Sequence, residues 1–92
     1  MKALITGGAG FIGSHLSEAL VRLTHDVTIL DNFSSGRIGN IQKILTSGAH
    51  ARLVAGDCKN PRDVRHAIRG IDTVFHLAAN PEVRLDLADP AT

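Results

Sequence analysis

Lys2-Ala-Leu-Ile-Thr-Gly-Gly-Ala-Gly-Phe-Ile-Gly13 is the stretch that decides the fold. Its opening, Lys2 to Thr6, is short, mostly apolar and bounded by glycine, which suits a buried strand better than a helix. From Phe11 to Leu23, the residues Ile12, Leu16, Ala19, Leu20 and Leu23 fall on one stripe at helical spacing. His15, Glu18 and Arg22 face away from it, so the segment reads as an amphipathic helix. Between the two lies Gly7-Gly8-Ala9-Gly10-Phe11-Ile12-Gly13, which holds GxGxxG counted from Gly8 and GxxGxxG counted from Gly7. An early glycine permits a tight turn, Gly10 lets backbone approach a pyrophosphate with no Cβ in the way, and Gly13 lets the helix sit close to the strands. The free N–H groups and positive dipole at the helix start then suit phosphate.

Outward from this stretch the strand and helix pattern repeats. Asp26-Val-Thr-Ile-Leu30 is a β-branched run, and Ile38, Ile41, Ile44 and Leu45 recur at three and four residues before Ser47-Gly48 closes a second helix. Ala51 to Ala55 makes a third strand. Asn60-Pro61-Arg62-Asp63 carries a capping residue, a proline for the first turn and an acid for the positive helix end. Gly70 ends that helix, Ile71 to Leu77 supplies a fourth strand, and Asn80-Pro81 opens a segment read as helical over Glu82 to Leu87. Strands alternating with helices imply right-handed crossovers. The fold class is therefore α/β: a Rossmann-like parallel sheet with helices on both faces, truncated to about four strands in the order 3-2-1-4.

A glycine-rich turn can also be a plain connector, so its surroundings decide its meaning. Here it follows a strand and opens a helix, and Asp31 ends the second strand eighteen residues after Gly13. A carboxylate there accepts hydrogen bonds from the adenosine ribose hydroxyls. It also repels a 2′-phosphate, which favours NAD over NADP. Arg37 is read as a surface residue at the start of a helix, although a guanidinium nearby can pair with a phosphate. In the order 3-2-1-4 the strand order reverses between strands one and four, where ligands of open α/β sheets bind.

Composition narrows the function classes. The 92 residues carry a net charge of +1 with no basic block, so nucleic acid is not an expected partner. The apolar run Ala3-Leu4-Ile5 is far too short for a signal or a membrane span, so no membrane partner and a cytoplasmic location are expected. Cys58 is the single cysteine, and the five histidines lack metal-ligand spacing; no metal site is expected. Among them, His76 is read as a packed, hydrogen-bonded residue at a strand end, and Arg84 as solvated.

Thr6-Gly7-Gly8-Ala9-Gly10-Phe11-Ile12-Gly13-Ser14-His15-Leu16 together with Asp31-Asn32-Phe33-Ser34-Ser35-Gly36 resembles the extended short-chain dehydrogenase/reductase family, specifically its NAD-dependent nucleotide-sugar epimerases and dehydratases. Gly56-Asp57, His76-Leu77-Ala78-Ala79 and Pro81-Glu82-Val83-Arg84 fall where that family has further motifs, so the resemblance covers the whole chain. The Asp-Asn-Phe-Ser-Ser-Gly stretch looks most like the UDP-glucose 4-epimerase branch. The resemblance implies that Gly7, Gly10, Phe11, Ile12 and Gly13 line the pyrophosphate of NAD. It places Asp31, Asn32, Ser34 and Ser35 at the adenosine ribose and Asp57 with Cys58 at the adenine edge. Leu77, Ala78 and Ala79 would run toward the nicotinamide half.

The resemblance also implies chemistry by a Tyr-x-x-x-Lys pair, and this sequence contains no tyrosine. A phenolic acid/base is not casually replaced, because proton transfer needs a tuned group within reach of the substrate hydroxyl. Residues 1–92 are therefore read as the N-terminal part of an NAD-binding domain, with catalytic and substrate-binding parts absent and no catalytic residue assigned. Cofactor binding without turnover is the expectation, and a nucleotide sugar is the substrate expected of the full-length parent. A stand-alone, non-catalytic nucleotide-binding or assembly module is the competing reading. The apolar edge of strand four lacks its next neighbour, so a homo-oligomer hiding that edge is expected if the chain folds by itself.

Overall fold

The computed structural model describes residues 1–34, 36–47 and 50–78. Ser35, Ala79, Arg84, the Gly48 helix stop and the segment expected to be helical over 82–87 lie outside the described residues.

Apolar runs bounded by turns form four short strands: β1 (Lys2–Thr6), β2 (Asp26–Asp31), β3 (Ala51–Ala55) and β4 (Thr73–His76). They pair in the order β3-β2-β1-β4, all neighbours parallel, with Ile5 opposite both Ile29 and Phe75. This is the order expected from the crossovers. α1 (Phe11–Arg22), α2 (Gln42–Thr46) and α3 (Pro61–Ile68) make the connections.

Strand alternation divides the core between the two faces of the sheet. Ala3, Ile5, Val27 and Ile29 meet Leu20 of α1 and Ile44 of α2 on one face. Leu4 and Leu30 meet Ala67 of α3 on the other, with Val64 and Cys58 packed alongside. β1 and β2 are the two inner strands, and Ala3, Leu4 and Ile5 of β1 are almost wholly buried.

Three elements differ from the sequence reading. The buried residues of α1 are Gly13, Ser14, Ser17 and Leu20, whereas Ile12 is 69% and Leu23 65% exposed. Small residues face the sheet because the helix packs too closely for large ones, which turns part of the apolar stripe outward. The second crossover is a single 3-10 turn (Ile38–Asn40) followed by the five-residue α2. Ile41 and Ile44 are buried there as expected, but Ile38 stays half exposed. The Asn40 side chain, although the residue is exposed, donates to the Ala9 carbonyl in the glycine turn at 2.7 Å. β4 starts later than expected, at Thr73; before it Asp72 donates its N–H to the Lys2 carbonyl at 2.9 Å and accepts the Lys2 N–H at 3.2 Å through its carboxylate.

By contrast α3 begins as its sequence dictates. Asn60 Oδ1 accepts the N–H groups of Arg62 at 2.9 Å and Asp63 at 3.5 Å, with Pro61 in the first turn.

Candidate functional site

β1 runs into a reversal at Gly7, whose φ of 73° lies where a side chain is disfavoured. Its N–H donates to the Leu30 carbonyl at 2.8 Å, and Gly10 donates back to the Gly7 carbonyl at 3.1 Å. A Cβ on Gly13 would run into that same carbonyl oxygen, so α1 approaches the turn as closely as backbone permits. Gly10 differs. A Cβ there would meet nothing of the protein but the Gly7 oxygen, at 3.3 Å, a tight contact relieved by a shift of a few tenths of an ångström.

The start of α1 is open. Its N-cap, Gly10, offers no side-chain cap, and no acidic residue occupies the first turn. The first N–H groups of any helix have no acceptor within it, and here no side chain supplies one at the cap. The positive helix end therefore faces the cleft uncompensated, an arrangement suited to an anion.

Asp31 closes the second side. It is 8% exposed, and its Oδ2 accepts the Ala9 N–H at 2.9 Å while Oδ1 accepts the Phe33 N–H at 2.7 Å. A carboxylate has about four acceptor positions, so two remain for further donors. Asn32 Oδ1 accepts the Ser34 N–H at 2.9 Å, shaping the loop that leaves Asp31.

Asp57 stands on the third side, past β3. Its N–H donates to Asp63 Oδ2 at 2.9 Å, and the Asp63 carboxylate sits where a Cβ on Gly56 would be, 2.7 Å away. Asp57 Oδ1 accepts the Lys59 N–H at 2.9 Å. Cys58 is half-buried against the α3 face of the core.

The end of β4 closes the fourth side by way of Thr6. The Thr6 hydroxyl oxygen accepts the N–H groups of Leu77 at 3.1 Å and Ala78 at 3.3 Å. It also lies 2.7 Å from His76 Nδ1. His76 is thus hydrogen-bonded as expected, though its residue is exposed rather than packed.

These four sides enclose one cleft of about 340 Å³. Gly7, Gly10, Phe11, Ile12, Gly13, Asp31, Asn32, Ser34, Asp57, Cys58, Leu77 and Ala78 all line it, as do Leu30 and Gly56. Every expected site residue that is described therefore converges there. Arg37 is exposed, and its backbone N–H donates to the Ala9 carbonyl at 3.1 Å. Sequence reasoning missed the residues that hold the walls: Thr6, Ala9, Asn40 and Asp63. Thr6, Ala9 and Asn40 contact groups 22 to 72 positions away in sequence, whereas Asp63 serves an N–H six positions before it.

A glycine turn feeding an uncapped helix, with a buried carboxylate at the end of the neighbouring strand, defines a dinucleotide-binding α/β domain. The chain belongs to the NAD dependent epimerase/dehydratase family, which it matches over residues 3–92. It is 38% identical over 90 residues to a UDP-glucose 4-epimerase from Corynebacterium glutamicum, covering 98% of this chain and 26% of that protein. It is 42% identical over 78 residues to a UDP-N-acetyl-alpha-D-glucosaminuronate decarboxylase from Bacillus cytotoxicus, covering 85% of this chain and 23% of the relative. The crystal structure of Thermus thermophilus UDP-glucose 4-epimerase in complex with NAD superposes with a TM-score of 0.74 at 35% identity, over 98% of this chain and 28% of that one. The chain thus spans about a quarter of the length of the relatives it matches.

Proposed function

We propose that this chain binds NAD across the carboxyl ends of its four strands, as the cofactor-holding portion of an enzyme that modifies a nucleotide sugar. The observation that carries the reading is the shared cleft of two complementary features. The uncapped start of α1 suits the pyrophosphate, and Asp31 has acceptor positions left for the ribose hydroxyls. Gly7, Gly10, Phe11 and Ile12, with Gly13 behind them, hold the pyrophosphate. Asp31, Asn32, Ser34 and Ser35 surround the adenosine ribose, and Asp57 with Cys58 borders the adenine. Leu77, Ala78 and Ala79 lead toward the nicotinamide. NAD accepts and returns a hydride when bound; the residues of this chain bind and orient it.

The nucleotide-sugar class rests on the relatives, which include epimerases and a decarboxylase of UDP-sugars. The loop Asp31-Asn32-Phe33-Ser34-Ser35-Gly36 favours the UDP-glucose 4-epimerase branch. With no tyrosine in the sequence, this chain holds cofactor without turning substrate over, and a Tyr-x-x-x-Lys pair belongs to the further length that its relatives have. The site works in the cytoplasm. The outer edge of β4, where Val74 is 49% exposed, pairs with a second copy when the chain folds alone.

Calorimetric titration with NAD and NADP tests the reading. Saturable NAD binding, weaker for NADP, is expected; no heat of binding by a chain that circular dichroism shows to be folded would overturn it. Light scattering tests the edge contact, for which a stable monomer at micromolar concentration is the contrary result.

A further inference from the structure

Building on the reading that the cleft holds NAD, we infer that Asn40 is a positioning residue for the adenosine half of the cofactor. The inference turns on Ala9, which is wholly buried at the heart of the glycine turn and whose two flanking peptide groups are both engaged. Its N–H donates to Asp31 Oδ2 at 2.9 Å. Its carbonyl oxygen accepts from the Asn40 side-chain Nδ2 at 2.7 Å and from the Arg37 backbone N–H at 3.1 Å.

Asp31 is where the chain leaves β2, and Arg37 to Asn40 is where it comes back. Both ends of this excursion are therefore fastened to one residue of the pyrophosphate turn. Between them lie Asn32 and Ser34, which line the cleft. The fit is close at Gly36, where a Cβ would stand 2.7 Å from Asp31 Oδ2 and 3.0 Å from Ala9. Asn40 closes the ring from the far end. Its side-chain amide holds the carbonyl of the Ala9–Gly10 peptide, which restrains the Ala9 backbone and so steadies the N–H of the preceding Gly8–Ala9 peptide against the carboxylate that meets the ribose.

Asn40 is itself an exposed residue on a one-turn helix, outside both core clusters. Its removal leaves the sheet and its buried faces in place, so cofactor affinity falls further than global stability does. Asn40→Ala loses one donor while the Arg37 N–H remains. Asn40→Asp replaces the donor with a negative acceptor facing a carbonyl oxygen, the harsher change.

The test combines calorimetry with amide hydrogen exchange on the wild type, Asn40→Ala and Asn40→Asp. NAD and AMP are expected to weaken together, about fivefold in Asn40→Ala and more in Asn40→Asp, with Tm moving by no more than a few degrees. Exchange at the Ala9 amide speeds up in both variants while Ile5 and Ile29 keep their protection. Unchanged Ala9 exchange, or unchanged NAD affinity in variants of a wild type that binds it, overturns the inference. A Tm loss in proportion to the affinity loss also overturns it, marking Asn40 as merely structural. A wild type that takes up no NAD fails the cofactor reading first and this inference with it.

Discussion

Asp31 Oδ2 accepts the Ala9 N–H at 2.9 Å, so the carboxylate at the end of β2 holds the glycine turn at the end of β1. The same group that suits a ribose is thus part of the scaffold. Asp31→Asn keeps the shape but turns one acceptor into a donor, facing either the Ala9 or the Phe33 N–H. A buried amide without an acceptor costs about 1–3 kcal/mol. Urea unfolding is expected to show that loss, and calorimetry a narrowed preference for NAD over NADP.

Gly13 and Gly10 separate fold from ligand. Gly13→Ala drives a methyl into the Gly7 carbonyl, and overpacking of this kind costs about 1–3 kcal/mol; thermal unfolding checks it. Gly10→Ala faces the cleft, where the fold offers one neighbour at 3.3 Å. Its expected signature is a Tm within a few degrees of wild type and NAD affinity at least about tenfold weaker, since a Cβ stands where pyrophosphate must approach.

Thr6 joins β1 to the far end of the cleft through one hydroxyl. Thr6→Val removes the hydroxyl acceptor shared by the Leu77 and Ala78 N–H groups; Leu77 keeps its bond to the Thr6 carbonyl at 3.0 Å, while the Ala78 N–H loses its acceptor. A loss of about 1–2 kcal/mol is expected, with faster amide exchange at Ala78. Thr6→Ser restores the hydroxyl and should recover most of both.

Asp72 couples acid stability to the start of the sheet. The Thr73 hydroxyl, then the Lys2 N–H, hold its carboxyl below the ordinary 3.8. A depressed folded pKa contributes stability that is present above the unfolded value and is lost as pH falls through the folded one. Carboxyl titration by NMR should place the Asp72 midpoint below 3.8. Asp72→Asn should flatten the loss of stability on acidification below about pH 4.

The sequence was most legible where the signal is local. Strand runs, the glycine spacing and Asp31 at a strand end led to the sheet order and to one cleft, because period and turn chemistry are written in neighbouring residues. α1 was misread because Gly13, Ser14 and Ser17 face the sheet, and a hydrophobic stripe cannot reveal a face chosen for closeness of approach. The second crossover was read as a longer helix, and Asn40 in it was missed because it serves a carbonyl 31 positions away. Thr6 was missed for the same reason, because it holds backbone N–H groups more than 70 positions away; Asp63 was read as a helix-start acid, and its bond to the Asp57 N–H six positions before it depends on the loop geometry, which side-chain type alone does not report.

The most direct test of the account is amide chemical-shift mapping of the chain as NAD is added. The account predicts saturable shifts concentrated at Gly7, Gly10 to Gly13, Asp31 to Ser34, Asp57, Cys58, Leu77 and Ala78, with the amino ends of the strands unmoved. Absence of shifts in a folded chain, or shifts centred away from the glycine turn and Asp31, would contradict it.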